Sequence, residues 1–207
     1  MVKLDLTKEL KELYRPSAKK VKLANVPRMG FLMIDGEGDP NTAPRFREAV
    51  KALYSLSHRL RFMVKQGRAA VDYKVMPLEG LWQTRDGAPL DPQNRDAFQW
   101  TLMIMQPDFV TPELFLEARE VVAKKKVPLL EDIRLDRYAE GLSAQILHVG
   151  SNSGKGPVVE TIYRFAQEQG YELTGCHHEI YLGDHRRTAP EKRKTVIRYK
   201  VRKSNDT

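Results

Sequence analysis

The run Gly175-Cys176-His177-His178-Glu179-Ile180-Tyr181-Leu182-Gly183-Asp184 gathers the side chains that acid–base chemistry uses. Glycines bound it, and apolar and aromatic residues interleave with polar ones, a pattern that predicts a β-strand. Successive strand side chains alternate faces. His177, Glu179 and Tyr181 therefore share one face, and Cys176, His178, Ile180 and Leu182 the other. Glutamate is most often exposed, and a solvent-facing Glu179 needs no further account. A buried one carries a desolvation cost that a cation, a proton donor or work as a general base would justify. Glu179 is thus the first candidate for a binding or catalytic group.

Other residues could supply the walls of a ligand site. Trp82, Trp100, Tyr73 and Tyr181 offer ring faces for a flat cation or a polycyclic molecule, each contact worth on the order of 1 kcal/mol. Met103 and Met105 add adaptable contact. The competing reading for each is ordinary strand core, strongest for Met103 and for Trp100, whose alternating neighbours are all apolar. Gly80 beside Trp82 suggests a close approach. Glu79 is a second carboxylate, but it falls at a predicted strand end before Gly80, where a turn or structural role is expected. Gly150-Ser151-Asn152-Ser153-Gly154-Lys155-Gly156 resembles a phosphate-binding loop, but is one residue short and has Gly156 where a magnesium-holding hydroxyl belongs. It reads as a connection. His177 and His178 point apart and no ligand spacing completes a metal site, so no metal and no cofactor are expected. His58 and His148 read as structural, and no nucleophile elbow is present.

The 207 residues are 41% hydrophobic and 30% charged, a balance able to bury a core. No apolar run approaches membrane-helix length, the N-terminus lacks a signal-peptide core, and the one cysteine, Cys176, cannot form an intrachain disulfide. These features lead to the expectation of a cytoplasmic protein. The net charge of +8 invites a nucleic-acid reading. Its densest runs, Lys124-Lys125-Lys126 and the region from His185 to Lys203, fit a helix end and a hairpin flank instead. No helix-turn-helix, zinc-finger or RNA-binding pattern accompanies them, so the expectation is against nucleic acid.

The elements that must position the candidates follow from periodicity and breakers. A charged N-terminal helix or arm precedes a long strand from Val21 to Glu37, with Pro27 as a bulge or edge mark. A helix from Arg45 to Lys65 carries Phe46, Val50, Leu53, Tyr54, Leu60 and Met63, with Thr42 as a possible cap. Strands are predicted at Val71–Met76 and Phe98–Gln106. A helix from about Asp108 to Lys126 has Thr111 as N-cap and Pro112 in its first turn. An extended stretch from Ile133 to Val149, broken at Gly141, leads through the glycine cluster to a helix at Val158–Glu168. The Glu179 strand and a last strand at Thr195–Val201 complete the chain. Strand, helix, strand, strand thus occurs twice. This predicts an α+β fold, one domain over 1–207, with module one at about 21–107, a linking helix at about 108–127 and module two at about 132–203. Two such modules could pair about a pseudo-two-fold axis and leave a central ligand cleft.

Leu13-Tyr14-Arg15-Pro16, Met33-Ile34-Asp35-Gly36-Glu37-Gly38-Asp39-Pro40-Asn41, Pro77-Leu78-Glu79-Gly80-Leu81-Trp82, Trp100-Thr101-Leu102-Met103-Ile104, His148-Val149-Gly150 and His178-Glu179-Ile180-Tyr181-Leu182 together resemble the GyrI-like small-molecule-binding family, in particular its stand-alone members without a DNA-binding domain. The resemblance implies a two-module fold with an aromatic cavity and a glutamate at its base, here Glu179. It implies binding of bulky hydrophobic or aromatic, often cationic compounds, through Glu179, Tyr181, His177, Trp82, Trp100, Tyr73 and Met103. Some similar stand-alone members hydrolyse cyclopropane-bearing genotoxins. The alternative expectation is therefore a cofactor-independent hydrolase, with Glu179 as general base and Tyr181 orienting the water or assisting the leaving group. Inhibitors of protein partners also occur in the family, but no partner surface is indicated here.

Overall fold

The computed structural model describes residues 2–184 and 187–204. In chain order the elements are β1 (Val2–Leu4), α1 (Leu6–Glu9), α2 (Lys11–Tyr14), β2 (Lys22–Val26), β3 (Met29–Glu37), α3 (Pro44–Gln66), β4 (Val71–Tyr73), β5 (Leu78–Thr84), β6 (Phe98–Gln106), α4 (Pro112–Ala123), β7 (Arg134–Tyr138), β8 (Gly141–Val149), α5 (Lys155–Glu168), β9 (Tyr171–Leu182) and β10 (Lys194–Lys203). Of the basic region from His185 to Lys203, His185 and Arg186 lie outside the described residues. Among those described, no helix is long and apolar enough to cross a membrane.

The chain forms two compact units, Met1–Leu6 with Met29–Tyr138 and Thr7–Arg28 with Ala139–Thr207. The first holds the antiparallel order β5-β6-β3-β7 and the second the order β9-β10-β8-β2. Each order runs second strand, third strand, first strand, then a short added strand. The added strands are exchanged relative to the sequence. β2 precedes β3 but pairs with β8, whereas β7 precedes β8 but pairs with β3. The expected single strand over 21–37 is therefore two strands in two units. Pro27, which lacks an N–H to donate, stands at the break. The stretch over 133–149 divides likewise, next to Gly141 at φ 77°.

In the first unit α3 covers one sheet face. Its buried residues are Ala49, Ala52, Leu53, Leu56, Ser57, Leu60 and Val64. This stripe is rotated from the one predicted by large apolar residues, because two alanines occupy the contact face while Tyr54 sits at its margin, stacked on His58. Ala43, not Thr42, is the N-cap residue, with Pro44 in the first turn. In α4 the Thr111 side chain accepts from the Leu114 N–H at 3.3 Å, as its spacing predicts.

Trp82 and Trp100 lie opposite each other on β5 and β6, and both rings meet Phe46 of α3, at centroid distances of 5.9 and 5.2 Å. Each indole rests on a glycine. A Cβ at Gly36 would fall 2.1 Å from the Trp100 ring, and one at Gly80 would fall 2.7 Å from Trp82 Nε1. Gly36→Ala should therefore cost about 1–3 kcal/mol by overpacking. Gly30→Ala, whose Cβ would meet only the Gln106 carbonyl at 3.7 Å, should cost clearly less. Urea unfolding midpoints of the two variants decide the matter, and equal losses would refute this seating of Trp100.

Candidate functional site

The second unit's sheet carries α5 on one face. Val21, Ala144, Ile146, Ile162, Ile197, Tyr199 and Val201 form its core, with Val158, Val159, Phe165, Tyr171 and Leu173 packed around it. β9 is longer than its bounding glycines predict, because Gly175 lies inside it at φ 73°. There the pairing with β10 shifts between Arg198 and Lys200, so Gly175, Cys176 and His177 oppose Tyr199 alone. A bulge of this kind bends the strand and re-aims side chains. Past it, Glu179 faces Ile197 and Tyr181 faces Thr195 across the ladder. His177, Glu179 and Tyr181 thus lie on the α5 side.

Glu179 is only 8% exposed, which rules out a solvent-facing glutamate. Nor is it an isolated charge. Lys155 Nζ lies 2.6 Å from Oε2, and His177 Nε2 lies 2.9 Å from Oε1. His177 Nδ1 is 2.6 Å from the Tyr199 hydroxyl. With the imidazole neutral, its Nε2–H donates to Glu179 and the Tyr199 O–H donates to Nδ1, an assignment that follows from the acceptor-only carboxylate. Lys155 Nζ also stands 5.6 Å from the Tyr181 ring centroid. Burial by itself would raise the Glu179 pKa, but the Lys155 charge and the His177 hydrogen bond outweigh it and hold the carboxyl well below its ordinary value. Burial, reinforced by Tyr163 and Glu179, pushes the Tyr199 phenol above its own. The arrangement is a lysine–carboxylate–imidazole–phenol chain in which the carboxyl is held ionised and the phenol held protonated.

Lys155 opens α5, and the glycine run before it is folded back on itself. Gly150 N–H donates to Arg193 O, Gly154 N–H to Ser151 O, and His148 Nε2 meets Ser151 O at 2.9 Å. These bonds, within the run and to Arg193 and His148, make it a tied connection, and the Lys155 ammonium goes to Glu179. Tyr163 of α5 packs against Tyr199 with ring centroids 5.9 Å apart and planes tilted by 58°, and it lines a surface hollow of about 390 Å³, with Arg164, Gln167, Tyr171 and Leu173 among its other walls. Thr195, opposite Tyr181, has a buried hydroxyl with no hydrogen-bond partner among the described residues.

Lys155 and Tyr199 were not anticipated as site residues. A lysine bracketed by glycines at a helix start was the one available hint. Tyr199 lies on the last predicted strand, and its meeting with His177 follows from the pairing of β9 with β10, which sequence alone does not show.

The remaining predicted wall residues lie in the first unit and do not share a face. Trp82 and Trp100 point toward α3 and pack as core. Met103, fully buried, points to the opposite side of the same sheet with its partner Glu79. Strand alternation forces this separation. Tyr73 is buried on β4 against Phe109. Glu79 lies within β5 and is fully buried, where a strand end with a turn or structural role was expected.

Behind the Glu179 chain, on the other face of the second unit's sheet, is a second buried polar group. Glu140 Oε2 accepts from His178 Nδ1 at 2.9 Å and from Arg198 Nη1 at 3.3 Å. Arg198 also donates to Gln145 Oε1 at 2.9 Å and to the Leu13 carbonyl at 2.8 Å, which anchors α2 to the sheet. Burial opposes the Glu140 charge, but His178 and Arg198 hold its pKa down.

The GyrI-like small molecule binding domain matches this chain over residues 19–202. The chain belongs to that family. Among solved structures it is similar to a conserved protein from Listeria innocua, at 39% identity and TM-score 0.88, with 96% of this chain and all of that one covered. Two Listeria innocua proteins described as hydrolases are also similar. One has 37% identity and TM-score 0.87 over 97% of this chain, the other 38% and 0.84 over 96%, each covered in full. Among curated proteins none matches significantly.

Two outcomes follow from the buried groups. Arg198→Met strands Glu140 and should cost about 3–5 kcal/mol in urea unfolding, far more than loss of an exposed ion pair such as Arg202–Glu172. Glu179 and Glu140 both have folded-state pKa values below the unfolded value of about 4.3. The unfolded chain therefore binds protons first as pH falls, so their stabilisation is complete above that value and drains away below it. The stability gap between wild type and Glu179→Gln should accordingly narrow between about pH 5 and about pH 3. A gap that stays constant across that range would contradict the pairing.

Proposed function

We propose that this GyrI-like protein binds a bulky, uncharged aromatic molecule against the face formed by His177, Glu179, Tyr181 and Tyr199, and hydrolyses it. The observation that carries this reading is the His177 bridge from Glu179 to Tyr199, at 2.9 and 2.6 Å. A carboxylate whose pKa is held down is a weak base on its own. It is well suited to stabilise an imidazolium. In this scheme Tyr199 accepts a proton from the attacking water as it passes its own to His177 Nδ1, and Glu179 stabilises the resulting charge. The water oxygen bonds to a strained carbon, the ring C–C bond breaks, and its electron pair moves into a conjugated carbonyl, whose oxygen takes up the proton that the His177 imidazolium gives back through Tyr199, restoring the neutral imidazole. The unpaired Thr195 hydroxyl supplies a further hydrogen bond on the same face. The two similar proteins described as hydrolases support the class of reaction, and cyclopropane-containing alkylators are the substrate class proposed. No cofactor enters the scheme. Cys176 is the one cysteine of the chain, so no intrachain disulfide forms, which suits the reducing cytoplasm proposed here.

A second reading is capture without turnover of aromatic cations. It draws on Lys155, whose ammonium already sits against a carboxylate and within 5.6 Å of the Tyr181 ring centroid, so the site is chemically able to hold a cation.

Loss of a cyclopropane alkylator, followed by mass spectrometry, separates the two. Wild type should consume it with the ring-opened hydrate accumulating. Glu179→Gln and Tyr199→Phe should each slow turnover by about 10²–10⁴-fold, the scale of an acid–base contribution. If wild type is no faster than buffer, the hydrolase reading fails and capture remains.

A further inference from the structure

We propose that Lys155 is a resident cation that decides which ligands reach Glu179: uncharged molecules leave the Lys155–Glu179 pair intact, whereas cationic ones must displace the ammonium. This rests on the reading above only in taking Glu179 as part of the ligand site.

The two carboxylate oxygens of Glu179 are held in unlike ways. Oε1 is fixed through His177, whose other nitrogen is held by Tyr199 and whose ring packs against Tyr199 at a centroid distance of 5.1 Å. Oε2 is held by Lys155, a single flexible contact at 2.6 Å. Lysine is a point charge on a four-carbon stem and lacks the paired donors that lock an arginine onto a carboxylate. Its departure therefore leaves the carboxylate oriented by His177. The ammonium also lies 5.6 Å from the centroid of Tyr181, so it occupies both contacts that a ligand cation would use, a carboxylate oxygen and an aromatic face. The Lys155 and Glu179 side chains are 12% and 10% exposed, so the pair is mostly buried but not sealed, and the ammonium on its long stem has a way to solvent. Lys155 stands between Gly154 and Gly156 at the start of α5, where neither neighbour has a side chain to confine its stem. In the second unit's other buried cluster the cation is Arg198, with three acceptors, and nothing there is releasable in the same way.

The probes are N-methylacridinium, a permanently charged fluorescent cation, and acridine, its uncharged counterpart in mildly alkaline buffer. Removing the resident charge in Lys155→Met should tighten N-methylacridinium by about tenfold or more while leaving acridine within about twofold. Adding Glu179→Gln to Lys155→Met should abolish that gain. Should Lys155→Met fold poorly, wild type gives the same answer. Saturating N-methylacridinium should raise acetylation of Lys155 by acetic anhydride, mapped by mass spectrometry, and saturating acridine should not. Equal cation affinity in wild type and Lys155→Met, no cation binding by either, or unchanged Lys155 acetylation at saturation would overturn the proposal. Alkylator turnover in the same samples reports on the hydrolase reading separately. Its absence with the affinity contrast intact removes that reading and leaves this one standing.

Discussion

The second unit depends on compensating buried carboxylates where they stand. A carboxylate removed from water is tolerated only with a counter-charge and hydrogen bonds on its remaining oxygens. Glu179 and Glu140 meet this requirement on opposite faces of one sheet by the same chemistry, each with one histidine and one basic side chain. The adjacent residues His177 and His178 make this possible. Strand alternation sends one to each face, so a two-residue run serves two carboxylates. The difference lies in the cation. Arg198 is fixed by three acceptors and ties α2 to the sheet, while Lys155 makes one hydrogen bond to Glu179. The first cation is held by several groups and the second by one.

The first unit solves a different problem, the fit of two indoles beneath one helix. Gly36 and Gly80 remove the side chains that would stand where the rings lie, and the alanines of α3 let the helix approach. Aromatic residues there are committed to packing. Their burial explains why aromatic content alone is a poor guide to a ligand wall: a ring that fills a core and a ring that waits for a ligand are the same residue type on the same kind of strand.

Much of the fold was legible because strong local rules governed it. The alternation through Cys176–Leu182 put His177, Glu179 and Tyr181 on one face, and Thr111-Pro112 marked the start of α4. What escaped was set by tertiary choices. Nothing local to Lys22–Val26 or Arg134–Tyr138 says that each pairs outside its own sequence neighbourhood, since a short strand carries little register information. The α3 stripe was misjudged because alanine ranks low as an apolar residue yet is favoured where backbones come close. Lys155 was hidden inside a run that looked like a phosphate loop, and its partner lies 24 residues away. Trp82, Trp100 and Met103 were grouped by chemistry, and the sheet separates them by parity.

The bulge at Gly175 ties the site to the fold. In a regular antiparallel pair one residue opposes one. Here three residues of β9 oppose Tyr199, which only a backbone able to adopt φ 73° allows at low strain. The ladder is regular on the side of the bulge that carries Glu179: Glu179 faces Ile197 and His178 faces Arg198, which brings His177 to the level of Tyr199. The extra residues Gly175 and Cys176 are taken up just before that point, and beyond them pairing resumes at Thr174 with Lys200. The strand therefore bends where the polar chain ends, and a glycine that reads in the sequence as a strand boundary marks that bend.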